Sequence, residues 1–187
     1  MSVPQSHRFT YEDYARLPDD RRYEVIDGEL FVTPAPTPFH QIVGRRIQRL
    51  IEDHVEKGRL GIVINAPCDV VLSQFDVLQP DVFFISSGRL QMVGEKYISD
   101  APDLVVEVLS PGTRRRDRTL KAKRYARFGV REMWIADPDR KTIEVHVNAA
   151  ETFRRHAAYA GKDRLTSPLL PGLEIPLEQV FAEITAR

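Results

Sequence analysis

The chain has 187 residues, of which 42% are hydrophobic and 29% charged, and its 27 basic residues balance 27 acidic ones. That composition predicts one soluble globular domain, 1–187, large enough for a substantial core, and the zero net charge gives no global argument for nucleic-acid binding. No apolar run reaches the roughly 18 residues of a membrane span, MSVPQSHRFTYEDYARL holds no apolar leader, and the single Cys68 excludes an internal disulfide or a cysteine-only metal site, which together predict a cytoplasmic protein.

Phe9, Tyr14 and Leu17 have helical spacing, with Thr10 as a cap and Pro18 as a stop. From Arg22 to Thr33 two β-rich runs flank Asp27-Gly28, a strong hairpin signal. Glu24 and Glu29 lie on either side of that turn, and on a half-exposed hairpin they need no function. Pro34, Pro36 and Pro38 form a stiff extended link. From Phe39 to Lys57, Ile42, Val43, Ile47, Leu50, Ile51 and Val55 recur with helical periodicity, predicting an amphipathic helix ended by Gly58. His40 at its start reads as a capping or packing residue, and Arg45, Arg46 and Arg49 lie on its charged face. Leu60–Ala66 and Asp69–Leu72 read as strands, with Ala66-Pro67 a bulge or turn between them. Gln74-Phe75-Asp76 turns the chain into a strand from Val77 to Ser86, with Asp81 at the start of its apolar part. Residues 87–100 read as a loop or a short helix.

The rest of the chain is organised around APDLVVEVLSPGTRRRDRTLKAKRYARFGV, residues 101–130. Leu104, Val105, Val106, Val108 and Leu109 form an apolar run bounded by Pro102 and Pro111-Gly112, as in a strand buried on both faces. Glu107 interrupts it, and a buried carboxylate is costly unless paired, for instance by a metal ion. A helix follows, capped by Thr113 or Asp117. Asp117, Lys121 and Tyr125 share one stripe of it at four-residue spacing. Glu132–Asp137 then reads as a strand, Thr142–Val147 as its hairpin partner, and Phe153–Ala160 as a further strand. A short helix is expected after Pro176. Met133, Trp134 and Ile135 carry more apolar surface than a small protein must expose, so a homodimer is expected.

Asp81 and Glu107 are the acids that stand out, each in or beside an apolar strand. Two strand-borne carboxylates can bind a hard divalent cation, which takes oxygen ligands and keeps several waters. Lys121, leaning back from the helix, can stabilise negative charge developing on phosphorus. The plainer reading is an Asp117–Lys121 helical ion pair. Residues 114–131 also carry nine basic side chains against Asp117 alone. Arg114, Arg115 and Arg116 head that run as candidate phosphate contacts, unless the run is simply a solvated face.

The segments Tyr23–Glu29 (YEVIDGE), Pro36–His40 (PTPFH), Gln79-Pro80-Asp81, Pro102–Pro111 (PDLVVEVLSP), Asp117…Lys121…Tyr125 and Gly129–Pro138 (GVREMWIADP) together resemble the Uma-two family of bacterial endonucleases. That family lies within the PD-(D/E)XK, or restriction-endonuclease-like, superfamily. The similarity runs from about Tyr11 to Val147. It implies an α/β (α+β mixed) fold with a central mixed sheet flanked by helices, preceded by an N-terminal β-hairpin. It also implies hydrolysis of DNA phosphodiester bonds dependent on Mg²⁺ (or Mn²⁺). Asp81 matches the first acid of the pattern and Glu107 the second, and the backbone carbonyl of Val108 falls where it would face the metal. The superfamily lysine would stand two residues after Glu107, where this chain has Leu109, and Lys121 matches a lysine moved to the next helix. Glu24 matches a recurrent acid of the first hairpin and is an additional candidate.

The displaced lysine also admits an alternative, a nucleic-acid-binding or regulatory module with the same fold and no chemistry. A carboxylate-pair hydrolase acting on sugars ranks last, because it gives the basic helix no role.

Overall fold

The computed structural model describes residues 8–18 and 20–183. The first seven residues of the stretch read as lacking a leader lie outside them. Two sheets share the work. The larger has six strands in the order β10-β9-β8-β7-β6-β3, and the smaller has four, β2-β1-β5-β4. Their ranges are β1 Arg22–Ile26, β2 Glu29–Thr33, β3 Gly61–Asn65, β4 Val70–Ser73, β5 Asp76–Leu78, β6 Val82–Ser86, β7 Leu104–Val108, β8 Glu132–Asp137, β9 Thr142–Asn148 and β10 Phe153–Ala160. A small pair, β11 Arg164–Thr166 and β12 Glu174–Pro176, lies near the end of the chain.

The N-terminal hairpin forms as its turn residues require. Asp27 and Gly28 both have positive φ, 53° and 81°, the conformation that lets a two-residue turn match the twist of its strands. The first helix, α1 Tyr11–Tyr14, is shorter than the spacing predicts, though Thr10 caps it as expected, in a reciprocal capping box with Asp13. Helix α2, Pro38–Gly58, starts from the Thr37 hydroxyl, which accepts from His40 N, with Pro38 in the first turn. It buries Val43, Ile47, Ile51 and Val55. The left-handed residue that ends it is Arg59 (φ 50°), one beyond Gly58.

The expected strand from 77 to 86 divides at Pro80: β5 joins the small sheet and β6 the large one. The bend between them carries Asp81. Residues 87–92 make a short 3₁₀ turn.

Strand β7 is the centre of the large sheet, antiparallel to β6 and parallel to β8. A parallel pair needs a crossover, which here is the helical segment 114–127, called α3. It is α-helical over Arg114–Arg116 and Ala122–Arg127, with a wider π-helical turn, Asp117–Lys121, between them. Neither Thr113 nor Asp117 caps it through a side chain. The last helix, α4 Leu177–Val180, follows Pro176 as expected.

The strand period of two divides β7 between two cores. Leu104, Val106 and Val108 pack with the α2 residues Val43, Ile47 and Ile51. Val105 and Leu109 pack on the other face with Tyr125 and Val130. Met133, Trp134 and Ile135 are buried at 0%, 0% and 3% exposure. The apolar surface from which a homodimer is expected is therefore consumed inside the subunit, because β8 is covered on both faces.

Candidate active site

Glu107 is the next-to-last residue of β7, on the face covered by α3. Its Oε1 lies 2.7 Å from Lys121 Nζ and accepts a 2.7 Å hydrogen bond from the Tyr125 hydroxyl. The shared stripe of Lys121 and Tyr125 therefore points at the strand. Lys121 Nζ also lies 3.0 Å from Glu24 Oε1 and 3.8 Å from Asp117 Oδ1. The local helical pair is thus the longest of its three ion pairs, and the two strand-borne acids are its close partners. Leu109 meanwhile is buried in the apolar core, so the strand position two beyond Glu107 packs while the helix delivers the ammonium. The π-helical turn holds both Asp117 and Lys121 in the buried cluster; such widened turns recur at functional sites.

Asp81 reaches the same place from the bend before β6. Its Oδ2 accepts from Val108 N at 2.8 Å, which ties it to the residue after Glu107. His40 Nε2 lies 3.3 Å from the same oxygen. Glu24 comes from the small sheet and is 1% exposed. Gln79 N donates to its Oε1 at 3.0 Å, and the Thr33 hydroxyl donates to its Oε2 at 3.2 Å. Arg116 stands 3.3 Å from that Oε2. Glu29, the other hairpin acid, is exposed. Asp81, Glu107, Glu24, His40, Asp117 and Lys121 line one cavity of about 40 Å³.

The electrostatics follow from an excess of buried acids. Burial pushes the Glu107 carboxyl well above its ordinary range; Lys121 opposes that shift, while Asp117, Asp81 and Glu24 add to it. Burial likewise raises Asp117, against Lys121 and a hydrogen bond from Thr113. For Lys121 burial favours the neutral amine, but Glu107, Glu24, Asp117 and Asp81 outweigh it and hold the ammonium protonated. His40 shows the same contest. Burial lowers its pKa, the Asp81 contact and the Val108 backbone raise it, and the ring ends above its ordinary value. Tyr125 is raised by burial and by Glu107, so it stays a donor.

The basic run is not the solvated face its sequence suggests. Arg114 pairs with Asp137 and Asp139, Arg116 with Glu24, and Arg118 with Glu144 through two bonds of 3.0 and 2.9 Å. Arg124 is buried against Asp76 at 2.7 and 2.6 Å. Of the three candidate phosphate contacts, Arg115 alone is exposed. The acids that consume the others lie far away in sequence, on strands the local charge count does not include.

His40 and Arg116 are the site residues whose position sequence reasoning missed. Both contacts are long-range, to Asp81 and to Glu24. The available signals were His40 next to the Thr37-Pro38 helix start and Arg116 one residue before Asp117. The Nδ1 of His40 and the Nε of Arg116 are buried without a hydrogen-bond partner among the described residues.

Comparison with known proteins adds three findings. No curated protein matches the chain. A crystal structure titled as a "putative nuclease belonging to DUF820" from Anabaena variabilis has a similar fold. It superposes with a TM-score of 0.77 at 19% identity, over 92% of this chain and 97% of that one. A family model described as "Putative restriction endonuclease" matches residues 11–178, and over that span the chain belongs to the Uma2 family.

Proposed function

We propose that this chain is a metal-dependent endonuclease that hydrolyses DNA phosphodiester bonds, with Asp81, Glu107 and Lys121 as its catalytic residues and Glu24 as a further site acid. One observation carries the reading: an ammonium delivered by a helix lies 2.7 Å from the carboxylate at the end of the central strand, in a cavity that a second acid, Asp81, enters from the bend before β6.

The donor set suits a hard cation. Its side-chain donors are carboxylate oxygens, and neither Glu107 Oε2 nor Asp81 Oδ1 has a hydrogen-bond partner among the described residues. Among those residues no group of three or more His, Cys, Asp or Glu forms a ready metal cage. The carboxylate donors suit Mg²⁺ or Mn²⁺ better than zinc, because Mg²⁺ is usually held by one or two carboxylates and retains waters. Asp81, Glu107 and the Val108 carbonyl would hold the ion, which supplies charge to polarise a phosphoryl oxygen and to acidify a water.

The chain's own residues set the rest. Tyr125 fixes Glu107 Oε1 and leaves Oε2 as its free donor. Val108 N and His40 orient Asp81. Glu24 and Asp117 keep Lys121 protonated, so it acts as a fixed positive charge and donor toward the phosphorane rather than as a base. An oriented donor of that kind is worth about 10²–10³ in rate. Arg115, whose guanidinium has no ion pair among the described residues, offers a cation to the backbone, while Arg116 braces the cavity wall through Glu24.

The test is single-turnover cleavage of supercoiled plasmid with saturating Mg²⁺ or Mn²⁺. Lys121→Ala is expected to lose about 10²-fold or more while cation binding persists, and Lys123→Ala, on an exposed position, is expected to cleave normally. Full activity in Lys121→Ala would remove Lys121 from the chemistry. Cleavage by no form of the protein would favour the non-catalytic nucleic-acid-binding module.

A further inference from the structure

Arg22 and Gln79 line the acid cavity and also a second hollow, of about 520 Å³, so the two share a wall. This volume lies within the range of small-ligand sites, about 300–1,000 Å³. Three tyrosines, Tyr11, Tyr14 and Tyr23, line it beside three cations, Arg21, Arg22 and Lys96. The tyrosines are only partly buried. The Tyr11 and Tyr14 rings are 6.4 Å apart and tilted by 24°. Tyr11 is also braced edge-on by Tyr97 at 5.1 Å.

The one acid among the described residues of this lining is already engaged. Asp69 Oδ1 accepts from the Tyr14 hydroxyl and from Gln79 Nε2, both at 2.7 Å. Those bonds hold the Tyr14 ring in place and link it through Gln79 to the acid cavity. Arg21 has only a loose surface pair with Asp20 at 3.5 Å, and Lys96 has no ion pair among the described residues. Ring faces next to exposed cations are the arrangement that binds single strands, where bases stack and phosphates meet positive charge.

We propose that this hollow seats an unpaired nucleotide of a DNA strand whose neighbouring phosphate enters the acid cavity, so that the protein selects DNA carrying a single-stranded segment. The position of the phosphate rests on the nuclease reading; the stacking does not. Tyr11 and Tyr23 supply the ring faces, and Arg21 and Lys96 supply the charge.

Fluorescence anisotropy tests it in the presence of a chelator, so that no cleavage intervenes. The probes are a fluorescein-labelled blunt duplex and the same duplex with a short oligothymidine tail. The wild type is expected to prefer the tailed duplex by about 10-fold, the scale of one stacked base. Tyr11→Ala and Tyr23→Ala are expected to lose the preference and keep their affinity for the blunt duplex, while Tyr23→Phe, which keeps the ring, is expected to retain both. Equal binding of both probes by the wild type would overturn the proposal, and so would a preference that survives both alanine substitutions. Plasmid cleavage separates this outcome from the catalytic one. A ring-dependent tail preference without cleavage would sustain the hollow and remove the nuclease reading, whereas cleavage without tail preference would do the reverse.

Discussion

Glu107 and Glu132 stand on neighbouring parallel strands, β7 and β8, and are 2% and 1% exposed, yet they live in opposite surroundings. Glu132 is saturated by neutral donors. Its Oε1 accepts from Trp134 Nε1 at 2.6 Å and from the Ser167 hydroxyl at 2.7 Å, and its Oε2 accepts from Leu169 N at 3.0 Å. Glu107 has one oxygen held by Lys121 and Tyr125, and three more carboxylates raise its pKa. A buried acid with both oxygens answered by donors fastens a loop to a sheet. A buried acid crowded by like charge is costly to keep, and that cost is what an added cation would relieve.

The largest test of this contrast is to neutralise each acid in turn. Saturating Mg²⁺ is expected to raise the melting temperature of the wild type, since a ligand at about 100 times its Kd contributes about 2.7 kcal/mol, and Glu107→Gln is expected to abolish both that rise and plasmid cleavage. Glu132→Gln is expected to keep the Mg²⁺ response. It should instead lose about 1–3 kcal/mol in urea unfolding, because an amide NH₂ must face a donor where an oxygen stood. A Mg²⁺ shift that survives Glu107→Gln would place any cation elsewhere.

A smaller effect lies in the pH dependence. The folded pKa of Glu107 is raised above its ordinary 4.5. Below the ordinary value the carboxyl is protonated in both states and contributes no difference. As pH rises from there through the folded value, the unfolded chain gives up the proton first and wild-type stability falls. Asp137 has the opposite sign. Burial raises its pKa, but Arg114 and the Arg140 backbone lower it more, so it ends below 3.8. Its stabilisation is present above that value and is lost as pH falls through the folded pKa. Thermal melts without metal should therefore show the advantage of Glu107→Gln over wild type growing as pH rises above the ordinary carboxylate value. A constant difference would mean that Lys121 compensates the burial fully.

The elements were legible because each rests on a local cause. Asp27-Gly28 makes its turn, the helical period from Ile42 to Val55 makes α2, though Pro38, read as part of the extended link, is its first residue, and the apolar run 104–109 is the central strand. The three candidate site residues could be named because Glu107 interrupts an apolar strand, Asp81 opens another, and Lys121 shares a stripe with Tyr125. The partners that distant segments supply were mostly hidden. Glu132 and Glu107 look alike in sequence, since Ser167 and Leu169 come from a later loop. His40 looked like a helix-start residue because Asp81 is far along the chain. Met133, Trp134 and Ile135 looked like an interface because nothing local says that β8 is covered on both faces.

The same contrast between saturated and open charges recurs among the cations, and there the expected effects are smallest. Arg114 and Arg115 are sequence neighbours. Arg114 is committed to Asp137, which is 0% exposed, and to Asp139; Arg115 is exposed and its guanidinium makes no ion pair among the described residues. A phosphate competes for a committed guanidinium only by stranding its buried partner, so on the nuclease reading Arg115, rather than Arg114, is the one expected to meet DNA. Arg115→Gln is expected to flatten the log–log salt dependence of duplex binding by about one contact, a slope change of about 0.9, with no change in melting temperature. Arg114→Gln is expected to leave the slope alone and to lower stability by about 1–3 kcal/mol, the cost of an unanswered buried carboxylate. The two slopes, measured by anisotropy across a salt series, decide it. If Arg114→Gln flattens the slope as much as Arg115→Gln does, the Asp137 pair opens on binding, and the distinction between committed and free cations fails at this helix.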